Sequence, residues 1–207
     1  MAMQSLEGEF RKTGDIPLPV SPVEAPKIEV VRFSPEAKKA LESKGYKVYE
    51  LTGQSIASLR EQGHPFWSTW HNKDYPEFEA LTSRHSEVAI NPKKLFIPRS
   101  NNKTLEQQLE AVKRYSDGLG IQGVEAILGE VPDYTELAFA HFDKTGERLF
   151  GERYDYRYTR TKTRLASSVA HVSGFGVGDG LSVSNWGADD RGDFLRAAPL
   201  VVPTGTK

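Results

Sequence analysis

From Gly151 onward the chain loses helical periodicity and reads as strand after strand. "RYDYRYTRTKTR", "SSVAHVSGF", "GLSVSNWG" and "FLRAAPLVVP" are four candidate strands with glycine-rich turns between them. Before that boundary the clearest signals are helical. In "VVRFSPEAKKALESKG", Ser34 fits an N-cap, Pro35 the first helical position and Gly45 the residue after the C-cap. "SNNKTLEQQLEAVKRYSDG" sets Leu105, Leu109 and Val112 on one helical face, with Gly118 as its end. "VPDYTELAFAHFDKTG" carries capping-box spacing at Asp133 and Glu136 and stops at Gly146. A β-rich end behind a mixed α and β segment predicts an α+β domain.

The remaining stretches refine that order. "YKVYEL" and "GVEAILGEV" read as strands, and "SEVAINPKKLFIP" as one or two strands broken near Asn91-Pro92. "SIASLREQG" reads as a short helix ending at Gly63, and "HPFWSTWHNKDYPEFEAL" as a packed aromatic loop. Residues 1–28 hold Pro17, Pro19, Pro22 and Pro26 and few large apolar side chains, which predicts an extended or flexible arm. Residues 29–207 then form a single α+β domain, a length that supports a real core.

Composition excludes several classes. No cysteine is present, so disulfides, thiolate metal sites and cysteine nucleophiles are ruled out. A formal net charge of -1 argues against a nucleic-acid partner. No apolar run reaches the roughly 20 residues of a membrane span, and the opening "MAMQSLEGEFRKTGDIPLPV" lacks the apolar core of a secretory signal. The expectation is a soluble chain, cytoplasmic by default, with no membrane insertion; surface or virion association stays open.

The 44 residues from Thr163 to Thr206 use an unusual alphabet. From Thr163 to Thr206 there is no Glu, Gln, Lys or Met, every acid is Asp, and Arg takes the place of Lys. Strands disfavour Glu and Lys while turns favour Asp and Gly, which accounts for part of this. A second account is genetic. Asn codons ending in a pyrimidine, with only their adenines randomised, reach Asp, Arg, Gly, Ser, Phe and Tyr but never Glu, Gln, Lys, Met or Trp. Trp186 would then be an unvaried framework residue.

On these residues, "GLSVSNWGADDRGDFLRAAPLVVP" resembles the C-terminal variable region of diversity-generating retroelement variable proteins. "SEVAINPKKLFIPRSNNKTLEQQ", "YTELAFAHFDKTGERLFG" and "YDYRYTRTKT" are similar to upstream parts of such proteins, so the resemblance spans about residues 85–207. It implies a C-type-lectin-like fold with a β-rich C-terminal half, flanking helices and a variable ligand-binding region at about 173–197. It also implies a hypervariable, solvent-exposed surface for an unknown protein or glycan ligand. Trp186 and "AAPLVVP" match the fixed framework. The site set comprises Phe175, Gly176, Gly178, Asp179, Ser182, Ser184, Asn185, Trp186, Gly187, Asp189, Asp190, Arg191, Gly192, Asp193 and Phe194. Strand alternation and loops both let such side chains change without touching a core, and small polar residues with an aromatic suit adaptable contact.

Other constellations weigh less. Arg191 to Asp193 spell an integrin tripeptide, but three letters recur by accident. "RYDYRYTRTKTR" interleaves Arg and Tyr as in single-strand nucleic-acid binders; the alternation of Tyr154, Tyr156 and Tyr158 favours a strand with Tyr on one face and Arg on the other. His64, His71, His85, His141 and His171 lack metal-ligand spacing, and Asp189, Asp190 and Asp193 do not match an EF-hand loop, so no metal and no cofactor is expected. "GFGVGDG" is not followed by a helix, as a phosphate loop requires. No catalytic motif is present. The alternative reading is an enzyme of unknown reaction on a similar scaffold, using the Asp cluster near the C-terminus.

Overall fold

The computed structural model describes residues 29–67, 75–151 and 157–205. The arm expected over residues 1–28 and Tyr154 and Tyr156 of the expected first strand lie outside the described residues. The elements run α1 (Pro35–Ser43), β1 (Lys47–Thr52), α2 (Ile56–Glu61), α3 (Pro76–Glu79), β2 (His85–Ile90), a 3-10 turn (Pro92–Lys94), α4 (Leu105–Asp117), β3 (Val124–Ile127) and α5 (Val131–Thr145). Then come β4 (Tyr158–Leu165), β5 (Ser168–Gly176), β6 (Gly180–Gly187), β7 (Leu195–Arg196) and β8 (Leu200–Pro203). The architecture is α+β, with two four-stranded sheets ordered β1-β2-β8-β3 and β6-β5-β4-β7. The first is antiparallel throughout; in the second, only β7 runs parallel, beside β4.

The central strands of the first sheet, β2 and β8, are buried on both faces. Along β2, Val88 and Ile90 join the core that contains Leu137 and Phe139 of α5. Ala89 belongs to a second cluster with Ala37 and Leu41 of α1 and Leu105 and Val112 of α4. Each fully buried Leu or Ile contributes roughly 1.5–3 kcal/mol of transfer free energy. Glu87 also lies on the α1 side, at 5% exposure. Burial alone would raise its carboxyl, but hydrogen bonds from Lys38 Nζ at 2.7 Å and Phe33 N at 2.9 Å, with the Lys38 and Arg32 charges, hold it below the usual carboxylate range.

Helix α5 is the spine between the sheets, and its polar residues tie it to strand ends. The Glu136 carboxylate accepts from Thr52 N at 2.8 Å, Thr52 Oγ1 at 2.9 Å, Gln54 N at 3.2 Å and the Ser83 hydroxyl. Asp133 accepts from Arg84 N and Arg84 Nη2, each at 3.0 Å. His141 is buried, with Nδ1 2.6 Å from the Tyr49 hydroxyl, and burial lowers its pKa. The same burial pushes the Tyr49 hydroxyl up to about 12, with the Glu147 charge adding to it.

Three expectations change. Helix α5 starts earlier than the Asp133–Glu136 spacing implies: Glu130 is the N-cap and Asp133 the third helical residue, accepting from Glu130 N at 2.9 Å. Pro132 tolerates this first turn because its missing N–H has no helical partner there. On α4 the buried stripe is Leu105, Gln108 and Val112, while Leu109 is 38% exposed. "SEVAINPKKLFIP" breaks at Asn91-Pro92 as expected, as one strand followed by the 3-10 turn, in which the Asn91 side chain accepts from Lys93 N and Lys94 N. "FLRAAPLVVP" is two strands rather than one: β7 belongs to the second sheet and β8 to the first. Pro199, which has no N–H to pair, sits at the crossing between them.

Candidate functional site

The second sheet packs one face on α5. Ala170, Val172, Phe175, Leu181 and Val183 share the core with Phe139. Alternation sends the intervening side chains the other way. Arg160, His171 and Ser184 stand in register across β4, β5 and β6, beside the pair Ser173 and Ser182. Trp186, paired with Val169, closes the row at 40% exposure, its ring centroid 6.2 Å from that of His171. Tyr158 meets the same imidazole edge-on at 5.1 Å.

Residues 65–67 extend this sheet. Phe66 bridges Leu181 in parallel fashion, Leu181 N donates to the Pro65 carbonyl at 2.9 Å, and Trp67 N donates to the Leu181 carbonyl at 3.0 Å. Phe66 therefore points inward against Phe139, and Trp67, 64% exposed, stands on the outer side. Gly180 permits the approach: its φ is +85°, and a Cβ there would lie 2.4 Å from the Pro65 carbonyl oxygen. Trp67, Tyr158, Ser173, Ser182 and Asp179, over Gly174, Gly176 and Gly180, enclose a cavity of about 150 Å³.

At the opposite end of the face, the segment from Gly187 to Phe194 is held by its backbone. Arg160 is completely buried, and its guanidinium donates to the carbonyls of Ala188 at 2.9 Å, Asp190 at 2.8 Å and Gly187 at 3.4 Å. Burial lowers the Arg160 pKa, and the nearby Asp190 and Asp189 charges oppose that effect. The Ala188 carbonyl also accepts from Leu105 N, the Gly192 carbonyl from Asn102 N, and the Phe194 carbonyl from Tyr158 N. Gln108 Nε2, reaching in from α4, donates to the carbonyls of Leu195 at 3.0 Å and Ser100 at 2.8 Å. The side chains of Asp189, Asp190, Arg191, Asp193 and Phe194 remain exposed. Thus the main chain is fixed from outside the segment, while most of its side chains play no part in that fixing.

His171 lies under the face at 3% exposure. Burial brings its pKa down to about 4, the Arg160 charge adding to the effect, so the imidazole is neutral near pH 7. Its Nδ1 is buried without a hydrogen-bond partner among the described residues.

Several members of the expected site stand elsewhere. Phe175 is 2% exposed and packs against Phe139 and Phe142. A bulge at Gly174 is responsible: Ser173 pairs Ser182, but Phe175 pairs Leu181, so the phenyl ring turns inward where simple alternation sends it out. Gly176 and Ser182 are likewise buried, although both line the small cavity. Asp190 accepts from Gly187 N at 3.0 Å and folds back over the turn. Asp193 bonds Asn102. Gly178, Asp179, Ser184, Asn185, Trp186, Gly187, Asp189, Arg191, Gly192 and Phe194 are exposed or half-buried. Among the described residues, no three His, Asp or Glu converge to hold a metal ion.

The arginine-tyrosine strand also differs from its expected pattern. Tyr158 and Arg160 share one face rather than opposing ones, and Arg160 is inaccessible to any external phosphate. Trp67, Tyr158, Arg160, His171 and Gln108 are the functional neighbours that sequence patterning missed. No protein-family model matches the chain, and no curated protein or solved structure matches it. Among the described residues, no helix is long and apolar enough to cross a membrane.

Proposed function

We propose that this chain is a ligand-binding protein of the retroelement-diversified kind, displaying a changeable surface on a C-type-lectin-like scaffold. One observation carries the proposal: backbone carbonyls between Gly187 and Phe194 are held by Arg160, Leu105, Asn102 and Tyr158, while the side chains of Asp189, Arg191 and Phe194 are exposed. Such a segment accepts substitution at low folding cost, because its conformation is set from outside. The return of the closing strand β8 to lie between β2 and β3 supports the scaffold assignment. The restricted alphabet of the same segment supports the adenine-directed origin.

The geometry narrows the varied set. Ser184, Asp189, Arg191 and Phe194 are free to change, whereas Asp193 bonds Asn102 and Asn185 stands opposite Ala170 on the face packed on α5. Phe175, Gly176 and Gly187 belong with the framework, because core packing or a close neighbour constrains them. The ligand would be a protein or glycan surface met by a broad, shallow face.

Deep sequencing of the 3′ end of this gene across its source population tests the reading. The expected result is variation confined to those four codons and their exposed neighbours, traceable to adenines in one template, with Arg160, Gln108 and Trp186 constant. An invariant 3′ end, or variation scattered equally through the core positions of β5 and β6, overturns it.

A further inference from the structure

The cavity at the Trp67 edge of the second sheet differs in kind from the loop face. Its walls are two aromatic rings, Trp67 and Tyr158, and two hydroxyls, Ser173 and Ser182. Among the described residues, its one charged lining group is the Asp179 carboxylate. Ser173 is 2% exposed overall, yet its side chain borders this space and bonds no other described residue. At about 150 Å³ the cavity is well below the roughly 300–1,000 Å³ of a whole small-molecule site. It therefore suits the end of a longer ligand. Glycines at 174, 176 and 180 leave room for that end to reach the sheet backbone.

Aromatic faces carry negative potential and attract cations, and a carboxylate at the rim reinforces that attraction. Hydroxyl oxygens accept N–H bonds from an ammonium. We infer that this cavity binds an alkylammonium group, the tip of a lysine side chain on a partner protein. The aromatic walls of the cavity do not depend on diversification, since Trp67 and Tyr158 lie outside the stretch of about 173–197 proposed to vary, whereas Ser173, Asp179 and Ser182 lie within it. A partner lysine seated here would give every variant a common anchor, while the loop face decides which partner is retained.

The test uses the full chain labelled with nitrogen-15 and titrated with n-butylammonium chloride. Controls are 1-butanol and sodium chloride at matched concentration. Saturable shifts are expected at the Trp67 indole N–H and at the Ser173 and Ser182 amides, with butanol and sodium at least about threefold weaker. Trp67→Ala should weaken butylammonium binding by about threefold to thirtyfold, and Trp67→Phe, which keeps a ring, by much less. Asp179→Asn should weaken it in the same direction. Because Trp67 is exposed, its replacement should leave the dispersion of the spectrum intact, which the same spectra report. Equal response to butanol, no saturable shift, or a response untouched by Trp67→Ala overturns the inference. So does a hexose that shifts these resonances where butylammonium does not. Neither result bears on the sequencing test, so the two readings fail separately.

Discussion

The two sheets have the same number of strands and opposite burdens. The first, β1-β2-β8-β3, has α5 and its neighbours on one face and α1 and α4 on the other, so β2 is buried at nearly every residue. The second packs one face on α5 and turns Trp186, Ser184 and the loop beyond them outward. Within the second sheet the outer-face residues Arg160, His171 and Ser173 are themselves buried, and exposure is concentrated at the end of β6 and in the loop that follows it. The first supplies stability and the second supplies surface. They are joined where β7 hands over to β8, so the displayed loop, ending at Phe194, is followed six residues later by a strand that runs between β2 and β3.

The largest break in this comparison should come from the first sheet. Ile90 has no exposed surface and packs between β2 and α5. Ile90→Ala should cost about 2–5 kcal/mol, read as a lower urea midpoint. A cost close to that of a loop substitution would show that the first sheet is not the stabilising one.

Next is the one place where the second sheet buries ionisable groups beneath its open face. The folded pKa of His171, about 4, lies below its ordinary value, so the unfolded chain binds the proton first. Stability from the neutral imidazole is then complete above about pH 6.5 and falls as pH drops toward 4. A shift of this size corresponds to roughly 3 kcal/mol. Urea midpoints at pH 7.5 and 4 should therefore fall further apart for the native chain than for His171→Gln. Equal separations would remove the buried neutral histidine from the account.

Arg160→Met should act more locally. It keeps the apolar volume of the stem but removes the donors to Ala188 and Asp190. A loss of roughly 1–3 kcal/mol is expected, and hydrogen exchange should quicken at the Leu105, Asn102 and Leu195 amides, which bond the loop carbonyls. Exchange that quickens uniformly would mean the guanidinium supports the whole sheet and not the loop.

How much of this was legible in the sequence depends on how local the cause is. The caps at Ser34 and Gly146 were readable because a cap is set by one residue and its near neighbours. The α+β order was readable because hydrophobic period is local too. The turn of Phe175 into the core was not, since it depends on a bulge defined only by pairing with β6. Nor was the role of Gln108, which occupies an apolar helical stripe because carbonyls from Ser100 and Leu195 meet it there. Trp67 joined the site through pairing with a strand more than 100 residues away. Exposed loop residues were found by composition; the residues that hold them were not, because clamps are made across the chain.

The smallest effects sharpen the comparison most. Asp189→Ala, Arg191→Ala and Phe194→Ala remove exposed side chains that take no part in fixing the loop, so each should change stability by no more than about 0.5 kcal/mol. Their neighbours Gly187 and Asp190 should behave differently. Asp190 Oδ2 accepts from Gly187 N, and a Cβ on Gly187 would lie 2.6 Å from that same oxygen. Gly187→Ala and Asp190→Ala therefore break one hydrogen bond by two routes. Each should cost about 0.5–1 kcal/mol, and the double substitution should cost no more than the larger single one, because there is a single bond to lose. Additive losses would mean that the turn is held by two separate contacts. Losses below measurement at all five positions would extend the free surface inward to the end of β6, leaving Arg160 alone to define where the framework begins.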